Sequence, residues 1–204
     1  MQPRLIKKGA EADIYLVDWF GRKAISKIRS PKPYRHKELD AVLRKRRTIH
    51  EATLMSAAKA TGVSCPFIFF VDPSKAEIIM EFVKGSNVRD ALTPVLCEKL
   101  GRYAAMLHSG NIIHGDLTTS NFIIDAKKLV LLDFGLSYYS ERTEDAATDL
   151  RLIKEAFTSA HVEVKGTFQR FMKGYSSIEG QKRADKILEN VLEIEQRGRY
   201  ARVT

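Results

Sequence analysis

The sequence predicts an α+β chain of two lobes, the first rich in strands with one main helix and the second helical. Three observations predict it. Short strand-like runs fill residues 1–83 and are broken by a single long helical pattern. Beyond Lys84-Gly85, over residues 84–204, the apolar residues recur at helical spacing instead. Early in that second part stand two polar motifs, His114-Gly115-Asp116-Leu117-Thr118-Thr119-Ser120-Asn121 and, twelve residues later, Asp133-Phe134-Gly135. A chain of 204 residues is long enough for two small lobes that share an interface.

Leu5-Ile6 opens a first strand that leads to Lys8-Gly9-Ala10-Glu11-Ala12-Asp13, and Ile14-Tyr15-Leu16-Val17 reads as the second. A turn near Phe20-Gly21-Arg22 precedes the third, Ala24-Ile25-Ser26-Lys27-Ile28. Pro31 and Pro33 cannot donate to a ladder and end the pairing. Leu39, Val42, Leu43, Ile49, Ala52 and Met55 then recur as one helix, which Gly62 terminates. Two more strands are expected at 67–71 and 77–83, divided by Asp72-Pro73-Ser74. In the second lobe, Leu96, Leu100, Tyr103, Ala104 and Leu107 stripe one helix, and further helices are expected from Thr148 to Ser159 and from Ala184 to Arg197.

The composition, 44% hydrophobic and 29% charged, is that of an ordinary soluble domain. No apolar stretch nears the roughly 18–20 residues of a membrane helix, so no membrane partner is expected. Residues 1–8 lack the apolar core of a signal peptide. Cys65 and Cys97 stand far apart with no C-x-x-C and no histidine cluster, which points to a reducing, cytoplasmic setting. The net charge of +9 suggests an anionic partner.

Asp116 and Asn121 stand five apart, the spacing of a kinase catalytic loop. Phosphoryl transfer needs a carboxylate beside the attacking oxygen and oxygen ligands for Mg²⁺. Asp116 fits the first role; Asn121 and Asp133 fit the second, because magnesium keeps its waters and borrows nucleotide oxygens. Residues 122–132 run apolar, polar, apolar, which reads as a hairpin that returns Asp133 to Asn121. Such a site also needs a strand lysine for the phosphates of ATP and a helix glutamate to position it. Lys27 and Glu51 fit by order, with Lys23 a rival nearer the turn. Lys8, Gly9, Glu11 and Ala12 form the phosphate-covering loop, although one glycine replaces the usual three. Glu11 there requires compensation from Lys8, Lys27 or a metal. The adenine is expected against apolar residues and the backbone of Glu81 and Val83, with Met80 either behind it or simply in the core. Only sixteen residues separate Asp133 from Asp149, and there is no A-P-E. The expected fold is therefore a minimal two-lobed protein-kinase-like one without an activation segment. Asp149 either bonds the catalytic-loop backbone or charges a helix N-terminus.

These residues carry a resemblance. Lys8 to Ala12, Ser30-Pro31-Lys32-Pro33-Tyr34-Arg35-His36, Leu39-Asp40, Arg46 to Ala52, His114 to Asn121, Asp133 to Ser137 and Arg197-Gly198-Arg199 are similar to the atypical kinase/ATPase subunit of the KEOPS (EKC) complex, the p53-related protein kinase family. RIO-type kinases and aminoglycoside phosphotransferases share only parts of the set. Pro33 departs from a commoner glycine, and the size resembles archaeal stand-alone members. The resemblance implies a Mg²⁺-dependent ATPase that also autophosphorylates and serves threonylcarbamoyl modification of adenosine in tRNA. It implies that the helical lobe binds the threonylcarbamoyl-transferase subunit and the strand-rich lobe a second small subunit. An ATP-holding pseudokinase scaffold and a small-molecule phosphotransferase are the alternatives. Residues 22–47 are strongly basic, and Arg44, Lys45, Arg46, Arg47, Arg197 and Arg199 are candidate tRNA contacts, reading phosphates rather than bases.

Overall fold

The structure, a computed structural model, describes residues 3–125 and 128–200, with side chains as far as Arg197. Three strands open the chain: β1 (Arg4–Lys8), β2 (Asp13–Trp19) and β3 (Arg22–Ile28). Phe20 and Gly21 both take positive φ, 50° and 80°, so a tight two-residue turn joins β2 to β3. The helix α1 (Lys37–Ala60) follows, then β4 (Ile68–Asp72) and β5 (Glu77–Glu81). The five strands form one antiparallel sheet in the order β1-β2-β3-β5-β4. Its register pairs Ile14 with Lys27, Leu16 with Ile25, Lys27 with Ile78 and Ile25 with Met80. Side chains alternate across a strand, so these residues share the face turned toward the second lobe.

The apolar spacing in α1 gives the helix correctly and its buried face incorrectly. Leu39, Val42 and Ile49 are exposed, whereas Asp40, Thr48, Glu51, Leu54, Met55 and Ala58 are buried. The inward stripe is partly polar because it carries ion pairs, which a search for apolar periodicity passes over.

After β5 the chain passes to β6 (Ser86–Asn87), α2 (Pro94–Ser109), β7 (Ile112–Ile113), β8 (Phe122–Asp125) and β9 (Lys128–Leu131). Thr93 caps α2 by accepting from Leu96 N, with Pro94 in the first turn. β8 pairs with β9 as a hairpin and with β6 on its other edge, and β10 (Tyr138–Tyr139) pairs with β7. Three helices complete the lobe: α3 (Thr143–Ala160), α4 (Thr167–Glu179) and α5 (Gln181–Tyr200). The helix expected from Thr148 starts five residues earlier, which places Asp149 inside it and not at its N-terminus. The last helix starts at Gln181 and not at Ala184.

α4 is absent from the sequence reading, although Phe168, Phe171, Met172 and Tyr175 recur at helical spacing. Its interior Gly174 counts against a helix by propensity. The reason for that glycine is packing. A Cβ on Gly174 would stand 1.9 Å from Glu98 O, and one on Gly101 1.9 Å from Phe171 O, so α2 and α4 cross backbone to backbone. Phe157, Phe171 and Tyr175 stack around that crossing, fully buried with Leu100, Ala104 and Leu107. Cys65 and Cys97 are buried free thiols, each pushed up to about 11 by burial.

Gly174→Ala is expected to lower the unfolding free energy by about 1–3 kcal/mol, because overpacking at the crossing outweighs alanine's better helix propensity. Denaturant unfolding measures it, and an unchanged midpoint would mean that the two helices part without cost.

Candidate active site

The site is organised by the end of β3. Lys27 stands in the strand and Arg29 directly follows its last residue, Ile28. There Arg29 N donates to Ala76 O at 3.0 Å, so the two side chains, two residues apart, leave the same side of the extended chain. Both are buried, and both reach Glu51, itself 1% exposed on α1. Lys27 Nζ stands 2.5 Å from Glu51 Oε1, and Arg29 Nη2 stands 2.6 Å from Glu51 Oε2. Lys27 Nζ also lies 2.6 Å from Asp133 Oδ1, which joins the two lobes through one ammonium. Burial works against the Lys27 charge, but the carboxylates of Glu51 and Asp133 outweigh it and hold its pKa above the ordinary lysine value. For Asp133 burial again opposes the charge, and Lys27 overrides it to hold the carboxyl below the usual range.

The catalytic loop hangs from a carboxylate behind it. Asp149, fully buried on α3, accepts from His114 N at 2.6 Å and from Gly115 N at 2.8 Å. Its Oδ2 also meets His108 Nε2 at 3.2 Å, and His108 Nδ1 in turn meets Tyr175 Oη at 2.8 Å. The backbone role considered for Asp149 is the one it plays. Gly115 takes φ 79°, and a Cβ there would stand 2.4 Å from Leu136 O, so only glycine fits between the two motifs. His114 is fully buried against Phe134. Its Nε2 donates to Leu132 O at 3.0 Å while Nδ1 accepts from Asp116 N at 3.3 Å. Both ring nitrogens are spent on backbone partners, so His114 orients the loop. The β8–β9 hairpin closes as Leu132 N donates to Asn121 O at 2.7 Å. Asn121 Nδ2 donates to Asp116 O at 2.8 Å and to Asp116 Oδ2 at 2.9 Å.

The segment after Asp133-Phe134-Gly135 is tied along its length. Ser137 Oγ donates to His114 O at 2.9 Å, His50 Nε2 meets Ser137 O at 3.1 Å and Ser140 N donates to Asn111 O at 2.9 Å. α3 starts at Thr143, so the connection is shorter than the sequence implied.

Two cavities meet at Lys27. One, of about 410 Å³, is mainly apolar; Ile14, Ile25, Met80, Ile123 and Leu132 line it with Glu51, Glu81, Val83, Asn121 and Asp133. The other, of about 250 Å³, is the more polar of the two and is lined by Gly9, Glu11, Ala12, Lys27, Arg29, Asp116 and Asp133, with Ile14 and Leu136 among its apolar walls. Met80 is thus both core and cavity wall. Of the loop residues, Lys8 stands outside both linings, while its neighbour Lys7 borders both. Glu11 is compensated neither by Lys8 nor by Lys27. Arg47 Nη1 meets its Oε2 at 2.6 Å and Arg29 Nη1 stands 3.7 Å away. Sequence reasoning passed over Arg29 in this site; its i+2 relation to Lys27 was the available signal.

Of the candidate RNA contacts, Arg47 is engaged with Glu11, and Arg44 Nε holds the buried Asp40 at 2.7 Å. Lys45 and Arg46 are exposed. Arg197 is exposed and meets Glu193 at 3.2 Å. Arg199 lies outside the described side chains.

The donor set fits a magnesium–nucleotide. Asn121 spends its amide nitrogen on Asp116, which leaves its oxygen for a cation, and Asp133 supplies a carboxylate 51% exposed to the cleft. Among the described residues no three His, Cys, Asp or Glu side chains cluster, so a metal here would take its remaining ligands from phosphates and water.

The RIO domain family model matches residues 21–171, which span β3 to α4 and include all of these site residues from Lys27 onward. The chain belongs to the RIO-domain family. The chain is 39% identical to the KEOPS complex subunit Bud32 of Pyrococcus abyssi, over 97% of this chain and 96% of that one. It is 43% identical to a probable bifunctional tRNA threonylcarbamoyladenosine biosynthesis protein of Methanothermobacter thermautotrophicus, over 98% of this chain. There it spans only 37% of the relative's length. The Rio2 kinase of Chaetomium thermophilum, solved as an ADP/Mg²⁺-phosphoaspartate complex, superposes with a TM-score of 0.68 at 18% identity, covering 96% of this chain and 70% of that one. That likeness identifies the architecture as the RIO-kinase-like two-lobed fold. Among the described residues no helix is long and apolar enough to cross a membrane.

Glu51→Ala in this RIO domain would leave two buried cations without their shared carboxylate. The expected loss is about 3–5 kcal/mol of stability, read from urea unfolding. A loss under about 1 kcal/mol would mean that Lys27 and Arg29 are already hydrated in the cleft.

Proposed function

We propose that this chain is an atypical kinase and ATPase that uses Mg-ATP, acting as the Bud32-type subunit of a KEOPS assembly that supports threonylcarbamoyl modification of adenosine in tRNA. The observation that carries the reading is the Lys27 ammonium. It sits 2.5 Å from Glu51 and 2.6 Å from Asp133, where the apolar cavity meets the polar one. Adenine fits the first cavity, among Ile14, Ile25, Met80, Ile123 and Leu132, and the phosphates fit the second. β5 pairing ends at Glu81, so the backbone from there to Val83 is positioned to bond the base edge. Lys27, held by Glu51, neutralises phosphate charge. Asn121 and Asp133 would hold Mg²⁺, which when bound neutralises the phosphate oxygens. Asp116, its Oδ2 fixed by Asn121, accepts the proton of the attacking hydroxyl or orients the attacking water.

The tRNA role is supported by the likeness to the tRNA threonylcarbamoyladenosine biosynthesis relative, and the KEOPS role by the likeness to the Bud32 subunit. The family resemblance in the sequence motifs is what suggests the assembly: the helical lobe on the threonylcarbamoyl-transferase subunit and the strand-rich lobe on a second small subunit, in the cytoplasm. The pairing of β10 with β7 just before α3 supports a reading in which no extended peptide docks there. Protein phosphorylation is therefore directed at the chain's own Ser or Thr residues or at bound partners.

Asp116→Asn is expected to keep ATP affinity and lose turnover, whereas Asp133→Ala loses the metal-dependent part of ATP binding. Titration calorimetry beside a phosphate-release assay separates the two, and wild-type hydrolysis by the Asp116→Asn protein would remove Asp116 from its role.

The basic surface is proposed as a phosphate-backbone contact for tRNA in the assembled complex. Lys45, Arg46 and Arg197 are the residues of choice, since Arg44 and Arg47 already serve internal carboxylates. Their combined replacement by alanine is expected to flatten the salt dependence of tRNA binding by about one unit of slope per lost phosphate contact. An unaltered slope in a variant that still assembles would make them plain surface charge.

A further inference from the structure

The polar cavity holds a buried cation for which the reading above gives no task. Arg29 is 3% exposed, and its Nη2 is fixed on Glu51 at 2.6 Å. Its Nη1 faces Glu11 Oε2 across 3.7 Å, longer than a hydrogen bond. A guanidinium carries five donors in a rigid fork that suits phosphate oxygens. Arg29 thus presents a preorganised donor edge to the cavity shared with Lys27, Asp116 and Asp133.

The covering loop needs such help. Gly9 N donates to Ala12 O at 3.1 Å, so that amide is closed on the loop itself. Arg29 and Glu11 are also unequal partners. Arg29 is locked by a buried carboxylate, while the Glu11 side chain is 48% exposed on a loop and holds a second partner, Arg47, at 2.6 Å. Arg29 cannot leave; Glu11 can. Position along the cleft sets which phosphate is involved. Lys27 borders both cavities, whereas Arg29 and Asp116 border only the polar one, beyond Lys27 from the adenine side.

We propose that Arg29 is a second phosphate-binding residue that contacts the terminal phosphate of a nucleoside triphosphate, and that Glu11 stands in for that phosphate until the nucleotide displaces it onto Arg47. This rests on the nucleotide reading above. A triphosphate reaches Arg29 and a diphosphate does not, so the signature is a ratio of affinities rather than a loss of binding. Arg47 acts only through Glu11: it draws the carboxylate off Arg29 and so favours the triphosphate.

The test is calorimetric binding of Mg-ATP and Mg-ADP to the full chain and to three variants. Arg29→Gln is expected to cut the ATP-to-ADP affinity ratio about tenfold while keeping ADP binding. Glu11→Gln, a near-isosteric change at a half-exposed side chain, should tighten ATP several-fold and change ADP less than about twofold. Arg47→Ala should weaken ATP binding in the wild-type background and have no effect beside Glu11→Gln, as a double-mutant cycle requires. An unchanged ratio in Arg29→Gln, or an Arg47→Ala effect that survives in the Glu11→Gln background, overturns the assignment while ADP binding keeps the nucleotide site intact. Failure of the wild-type chain to bind either nucleotide overturns the proposed function and this inference with it.

Discussion

Everything in the cleft depends on one buried carboxylate. Glu51 receives Lys27 on one oxygen and Arg29 on the other, and it is the α1 residue that ties this helix to β3 through charge. Two cations around one anion leave a net positive charge inside the protein, a costly arrangement unless another anion shares it. Asp133 supplies part of that balance from the second lobe, and Glu11 part from the covering loop. The first lobe is therefore built around an unsatisfied demand for negative charge. A polyphosphate answers it more fully than two carboxylates that are each about half exposed.

The second lobe solves a different problem, holding a loop of irregular backbone still. Asp149 does this from beneath by collecting the amides of His114 and Gly115, and His114 does it from within by bonding Leu132 O and Asp116 N. α3 can bring Asp149 there because α2 and α4 meet without side chains between them at Gly101 and Gly174, which lets the helices pack tightly behind the loop. Positioning of Asp116 is thus the last link of a chain that begins in a helix crossing.

Much of this was legible in the residues. The polar motifs named the site because few other demands place Asp116, Asn121 and Asp133 at that spacing, and the order of strands, helix and hairpin followed from periods of two and of 3.6. What escaped the reading shares a cause. The buried face of α1 is charged, the interior of α4 contains a glycine, and Arg29 looks like one more member of a basic run. In each case a tertiary partner decides the residue's role: Glu51 for Arg29, Glu98 O for Gly174, the ion pairs for α1. Hydrophobic pattern carries no record of such partners. The start of α3 was misplaced for a simpler reason, since polar Thr143 to Asp145 open it without an apolar residue to mark the first turn.

The strap between Asp133 and α3 has a consequence for control. Ser137 is bonded on both its hydroxyl and its carbonyl, Tyr138 and Tyr139 are paired as a strand, and Ser140 is held by Asn111 and Asp145. A segment stitched at nearly every residue has no slack with which to swing out of the way and back. This stretch of chain is therefore a fixed wall of the cleft and not a moving part of it. On the proposed reading, any metering falls to the covering loop and to what reaches the cleft from outside, and the strap only keeps the catalytic loop at a constant distance from Asp133.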